Sequence, residues 1–498
     1  VLREARTFQE RLVQAWSPAR RHAQLVHIAT DGETYGHHQR FGDLTIAFAL
    51  HRSLEKEGFT LTNYAAFLGA HPPEWEVEIK SGPDGLGTAW SCAHGTLRWH
   101  EDCGCTTGAQ HGWNQKWRRP LRVALNWLRD RTTDAMNEFG PRLFRDPWEA
   151  SDRYIHVILR DSHAATDRFL EREGKGLKDE ASRAAALRLM EMRRQAMLMF
   201  TSCGWFFADL SGIETVQCLQ YAARALELAE TFAGVRLEAS FLELLDRARS
   251  NLSEWGSGRR VWNRGVRPSM IDAERTGAHF AIADLVHKRP DRVRLFRATV
   301  DRRHRVEHAA AAPSPVHRVT RVVLSRITVT QERTRESARL LAACARLGSR
   351  KVICTVGRDE RTEAEYVELE RGLAEAIRGL EPGEEGERRL ARILALKVGK
   401  RSFLLEDLLL DQRLRILEFL THDLVTQLGD AYLDLYANNR DVIEGLKKSG
   451  MPAPREFSIA AEYALGHRLD ELLREHKVVP GRTMVGHRMP PLAQARAL

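Results

Sequence analysis

Several things are scarce or missing in this sequence. No run approaches the ~18 apolar residues needed for a membrane span, and the first residues carry no apolar h-region, so neither a spanning helix nor a secretory signal is expected. Cysteine is sparse and odd in number, seven in 498 residues. Without a secretion signal, Cys92, Cys103, Cys105, Cys203, Cys218, Cys344 and Cys354 read as reduced thiols of a cytoplasmic protein rather than a disulfide framework. A concentrated basic stripe is lacking: the net charge of +9, from 76 Lys and Arg against 67 Asp and Glu, is spread along the chain. Nucleic acid is therefore not an expected partner, and neither is a membrane. There is no internal repeat, and Ser257-Gly258-Arg259-Arg260 lacks the spacing of a phosphate-binding loop. What remains, 43% hydrophobic and 29% charged residues, describes a globular protein with room for about two to four domains.

The most organised stretch is residues 23–43, AQLVHIATDGETYGHHQRFGD. Leu25-Val26-His27-Ile28-Ala29 reads as a short buried strand. The chain then breaks at Asp31-Gly32 into a loop holding Glu33, Tyr35, His37, His38 and Gln39, and enters a helix near Asp43. Strand, polar loop and helix make a βα unit, and catalytic groups of α/β folds sit at the carboxyl ends of strands, where Asp31 stands. By residue type alone, such a loop serves turn and capping chemistry more often than catalysis.

Asp31-Gly32-Glu33-Thr34-Tyr35-Gly36-His37 after an apolar strand resembles the fourth signature region of the family-57 glycoside hydrolases, retaining enzymes that act mostly on α-glucans. The resemblance implies that Asp31 is the general acid/base and that residues 1–80 are the last part of a (β/α)7-type barrel; Glu33, Tyr35, His37 and His38 on the same loop are candidate sugar-binding residues by their type. Because the sequence opens with Val1 inside apparent helix, it is expected to be the middle of a larger protein, with the nucleophilic glutamate upstream and this piece inactive alone. No cofactor is implied.

Residues 81–122 are long, irregular and rich in Trp, Cys and His. Loops of this length with little regular structure tend to be functional. Cys92, His94, Cys103 and Cys105 have the chemistry of zinc ligands, but C-x-H and C-x-C are shorter than the usual C-x2–4-C pairs, and no metal is assigned from spacing. The plainer reading is a glycine-rich loop stapled by buried tryptophans, with cysteines packed as small apolar groups. A third reading places tryptophans at the rim of a saccharide cleft. In the resembled family the segment after the last barrel strand carries Ser-Trp and Trp-Asn; Trp90-Ser91 and Trp113-Asn114 are similar with the first pair reversed. Trp90, Trp113 and Asn114 are the substrate contacts so implied, and Trp99 is a further candidate of the cleft-rim reading. Phe200–Asp209 resembles the fifth signature region, with Trp205 and Asp209 as candidate contacts and Gly204 where many relatives have aspartate; ordinary helix-end packing is the other reading.

The remainder is expected to be mostly helical. Helices are predicted from Pro120, around Tyr154–Leu159, over Glu180–Phe200 with a buried Met stripe including Met190 and Met197, and over Glu214–Glu230. A small antiparallel sheet is predicted from 292–300, 316–323, 324–330 and 352–356, with a helix at 337–347 and a turn at 309–315. Further helices are expected at 363–378, 404–423, 427–446 and 457–476, with 381–387 as a solvated link and Arg302-Arg303-His304-Arg305 as a solvated face. The fold class is thus α/β plus mostly α. Its segments are a barrel remnant (1–80), a loop and helical domain flanking the cleft (81–290), a β-rich subdomain (291–360), a helical region (361–476) and a flexible tail (477–498).

The expected function is a retaining glycoside hydrolase or glucanotransferase with an oligo- or polysaccharide partner. A non-catalytic glucan-binding scaffold and a zinc protein built on the Cys/His loop are the alternatives.

Overall fold

A computed structural model describes residues 4–82, 85–285, 292–307, 319–347, 351–378, 380 and 384–475. The turn expected at 309–315 and the tail expected from 477 lie outside these residues. The chain forms two compact units, Val1–Ala89 and Trp90–Leu498.

The first unit is built from short helices around a small core of Phe8, Ala49 and Leu54. Helix Gly42–Phe48 starts where the sequence places it, passes through a π-turn and a 3-10 turn, and ends at Gly58 with φ +81°. Asn63 caps helix Tyr64–Ala70, its side chain accepting from the Ala66 N–H at 2.9 Å. The predicted strand at Leu25–Ala29 is absent, and no β-strand is present among the described residues of this unit, 76–79 included. A strand holds its backbone through a ladder to a neighbour. With none, 25–29 is irregular and Ile28, Val77 and Ile79 stand exposed. The barrel remnant is thus not seen.

The second unit is mostly helical with one six-stranded sheet. Its first layer packs Arg118–Leu143, Glu180–Leu198, Ile213–Ala233 and Glu238–Leu245 together. Asp179 and Ser182 close a capping box on the second of these, which satisfies two otherwise orphaned groups. Met190 is buried as the stripe predicts, whereas Met197 is 51% exposed; Met192 and Met199, outside the stripe, are buried.

The sheet is an antiparallel meander in chain order: β1 Arg292–Val293, β2 Phe296–Glu307, β3 Val319–Gln331, β4 Ser337–Leu347, β5 Lys351–Arg358 and β6 Arg401–Leu404. Two predicted strands merge into β3, and the predicted helix over 337–347 is β4. The reason is cover on both faces. Leu340, Ala342 and Cys344 pack on one side with helix Ala273–Leu285, while Leu341, Ala343 and Ala345 pack on the other with Tyr366, Leu373 and Leu390. Period-two alternation then carries no polar half, and the run looks helical in composition.

Helix Glu363–Arg378 matches its prediction, but the expected solvated link at 381–387 gives way to helix Glu384–Lys397 from Glu384 onward. The chain then returns to the edge of β5 as β6, pairing Ile353 with Leu404. Gly357 and Gly399 meet backbone to backbone there: a Cβ on Gly399 would stand 2.4 Å from the Val356 carbonyl oxygen. Two further predicted helices are recast as Leu410–Asn438 and Arg440–Lys448, followed by Arg455–Glu475. The predicted solvated face at 302–305 is partly spent, since Arg302 pairs with Glu363 and Glu370 and Arg303 with Asp284. No helix among the described residues is long and apolar enough to cross a membrane.

Candidate functional site

Two loops carry the chemistry singled out by sequence, one in each unit. In the first, Asp31 precedes a single 3-10 turn, Gly32–Thr34. The loop closes on its own backbone: the Thr34 N–H donates to the Asp31 carbonyl (3.0 Å), the His38 N–H to Glu33 (2.9 Å) and the Gly36 N–H to Gln39 (3.1 Å). The Thr30 hydroxyl donates to Tyr35 Oη at 2.8 Å, and the His37 and His38 rings meet edge to face at 5.0 Å. Asp31 occupies the N-cap position yet makes no side-chain cap bond. Its side chain and those of Glu33, His37 and His38 are exposed, while Tyr35 is half-buried. Phe41, which leads into the next helix, holds φ +64° with its ring 60% exposed. That conformation costs an L-residue on the order of 1 kcal/mol.

The second loop lies against the helical layer of the larger unit. Trp90 is 85% exposed. Trp99 and Trp113 are half-buried, and the Trp99 indole N–H donates to the Ser202 carbonyl at 3.3 Å. Asn114 exchanges hydrogen bonds with Asn251, its N–H donating to Oδ1 and its carbonyl accepting from Nδ2, both at 3.0 Å. Trp205 is fully buried and stacked parallel to Phe200, so it offers no face to a ligand. Asp209 is buried and accepts from Ser211 N–H and hydroxyl, the Ser250 hydroxyl and the Asn251 N–H, all between 2.6 and 2.8 Å. The helix-end packing reading thus describes Trp205 and Asp209. A Cβ on Gly204 would lie 2.5 Å from Cys218 Sγ, which explains why no aspartate stands at that place: Cys218, its thiol pushed up to about 12 chiefly by burial, occupies the room.

The feature that spacing alone did not show is a convergence of four side chains. Cys92 Sγ lies 3.8 Å from Cys103 Sγ and 3.9 Å from both Cys105 Sγ and His94 Nδ1, and Cys105 Sγ lies 3.4 Å from His94 Nδ1. All four atoms fall within 4.8 Å of one another. Short pairs do this because each folds as a tight turn. Cys92 Sγ accepts from the backbone of His94 and Arg98, and Cys103 Sγ from the backbone of Cys105. Glycine in the left-handed region follows His94 (Gly95, φ +67°) and separates Cys103 from Cys105 (Gly104, φ +76°). Burial pushes the Cys92 thiol up, but hydrogen bonds from His94, Cys103 and Arg98 outweigh it and bring it down to about 7.

Beside the cluster Arg118 is fully buried, and its Nη1 donates to the Cys105 carbonyl at 2.8 Å and points at Cys103 Sγ from 3.9 Å. Its Nε and Nη2 have no hydrogen-bond partner among the described residues. Burial draws this guanidinium below its ordinary range.

A profile of the family described as "Domain of unknown function (DUF3536)" matches residues 113–409, more than half of the chain. No curated protein and no solved structure gives a match.

Proposed function

Taking as premise that the chain belongs to the DUF3536 family, we propose that it is part of a protein resembling the family-57 glycoside hydrolases, acting on α-glucans by a retaining mechanism with Asp31 as general acid/base. The observation that carries this reading is the presentation of Asp31. The loop from Asp31 to Gln39 is closed by its own backbone bonds, and the carboxylate at its head is left out of the cap it could have made. Phe41, two residues past the end of that loop, is left-handed, a strained conformation of the kind that clusters at working sites.

Retaining cleavage uses two carboxyls about 5–5.5 Å apart. One attacks the anomeric carbon. Asp31 would protonate the departing glycosidic oxygen, then take a proton from water or from an acceptor hydroxyl as the glycosyl–enzyme bond breaks. Which acceptor arrives decides between hydrolysis and transfer. Glu33, His37 and His38, exposed on the same loop, would hydrogen-bond sugar hydroxyls.

In the full-length protein incubated with maltooligosaccharides or amylose, Asp31→Asn is expected to lower turnover about 10²–10⁴-fold, the span typical of losing a general acid/base. Turnover equal to the parent's removes Asp31 from the mechanism. A second reading, glucan binding without chemistry, is favoured by the 85% exposure of Trp90. Saturable glycogen binding with no turnover by the intact protein, lost in Trp90→Ala, would select it.

A further inference from the structure

We infer that Cys92, His94, Cys103 and Cys105 form a closed, structural zinc site that fixes the tryptophan-rich loop onto the helical layer. This stands apart from the glucan reading.

The first support is dimensional. A tetrahedral zinc with thiolates at about 2.3 Å and an imidazole nitrogen at about 2.05 Å sets sulfurs about 3.8 Å apart, and sulfur and nitrogen about 3.6 Å apart. The Cys92 sulfur lies 3.8 and 3.9 Å from its two sulfur neighbours, and the Cys105–His94 and Cys92–His94 separations of 3.4 and 3.9 Å bracket the second value. A disulfide would bring two sulfurs to about 2.05 Å, and all of these cysteines are free.

The second support is electrostatic. Three thiolates and a neutral imidazole around Zn²⁺ leave one net negative charge, and the buried Arg118 guanidinium faces it, 3.9 Å from Cys103 Sγ. A buried cation needs a counter-charge, and the metal-thiolate centre supplies one. The third support is the outer shell: backbone donors from His94, Arg98 and Cys105 on the sulfurs are the contacts that orient thiolate ligands.

The ligand set selects the metal and the role. Soft thiolates with one imidazole in a tetrahedron suit zinc. Four protein ligands leave no open position for water, so the ion holds structure. The ligands close a loop of irregular backbone on which Trp99 reaches Ser202 and Arg122 reaches the Trp99 carbonyl at 3.1 Å.

The full chain, purified under reducing conditions from zinc-supplemented medium and dialysed, should retain one zinc per chain by elemental mass spectrometry. Substituted with Co²⁺ alone, it should show thiolate charge-transfer and tetrahedral d–d absorption. Cys103→Ser and His94→Ala should each lower retained zinc at least tenfold, while Cys203→Ser, an exposed thiol outside the cluster, should keep it. Because a variant can fail to fold, the wild-type chain is also tested. In it, Cys92, Cys103 and Cys105 should resist alkylation until a strong chelator strips the zinc and leaves the thiols free. Well below one zinc after reconstitution, retention unchanged in Cys103→Ser and His94→Ala, or stoichiometric iron instead would each overturn the assignment. None of these measurements depends on glucan turnover.

Discussion

The loops at Asp31 and at Cys92–Cys105 are both irregular, glycine-bearing and polar, yet they are held in opposite ways. The first is closed by main-chain hydrogen bonds and turns its functional side chains outward. In the second the functional side chains themselves converge, with Cys92 buried and Arg118 beneath them. A backbone-closed turn tolerates replacement of its side chains and loses only chemistry. A loop closed by its side chains loses its shape when one ligand goes. This contrast separates a site whose variants should fold and fail from one whose variants should loosen.

The largest effect that would break the comparison belongs to Asp31→Asn, with turnover down about 10²–10⁴-fold and thermal unfolding unchanged within a degree or two. A large fall in melting temperature would mean that the first loop, too, is held by its side chains. Next comes Arg118→Met, which keeps the bulk but removes the charge facing the sulfurs. Retained zinc should weaken by about 10–100-fold, as for other outer-shell changes, measured by competition with a chromogenic chelator; unaltered competition would remove Arg118 from the site. Gly104→Val sharpens the point further. Its φ of +76° costs a β-branched residue about 1–2 kcal/mol, although open space surrounds the position. Denaturant melts should show that loss together with weaker zinc retention, while Gly36→Ala in the Asp31 loop should leave zinc untouched.

The smallest expected effect is a control that involves neither loop's residues. Asp167 accepts from Arg335 at 2.6 Å and from Arg183 at 2.8 Å. The Arg335 hydrogen bond is the main cause holding its carboxyl below the ordinary range. A depressed folded-state value stabilises above the unfolded-state value and loses that stability as pH falls through the folded one. Asp167→Asn should therefore cost about 0.5–1 kcal/mol at pH 7, discounted for its partial exposure, and less near pH 2. An equal cost at both pH values would show that the pair acts through packing.

How far the sequence could be read follows from where each signal resides. Helix Glu363–Arg378 was legible because one face is apolar at helical spacing and the other is polar, and Glu180–Leu198 because it is rich in the helix formers Ala, Leu and Met. Strand β4 was not, because the sheet is covered on both sides and Leu340 to Ala345 are apolar without alternation. The strand predicted at Leu25–Ala29 is a lesson in the other direction: a β-forming composition is only half of a strand, and the partner ladder is the other half. The four-ligand cluster was hidden because C-x-H and C-x-C each look too tight for a metal. Two such tight turns brought together by tertiary structure supply what a single motif cannot. Trp205 and Asp209 were found as conspicuous residues, but their burial and bonding are tertiary facts.

The return of the chain from helix Glu384–Lys397 to the edge of β5 bears on how the protein is made. During synthesis β2 to β5 can zip together as each emerges, but the last hydrogen-bonding rim stays bare until Leu404 has left the ribosome. An open rim of this sort invites pairing with another nascent chain. The close seat of Gly399 against Gly357, which admits no side chain, makes the eventual closure selective for the chain's own final strand.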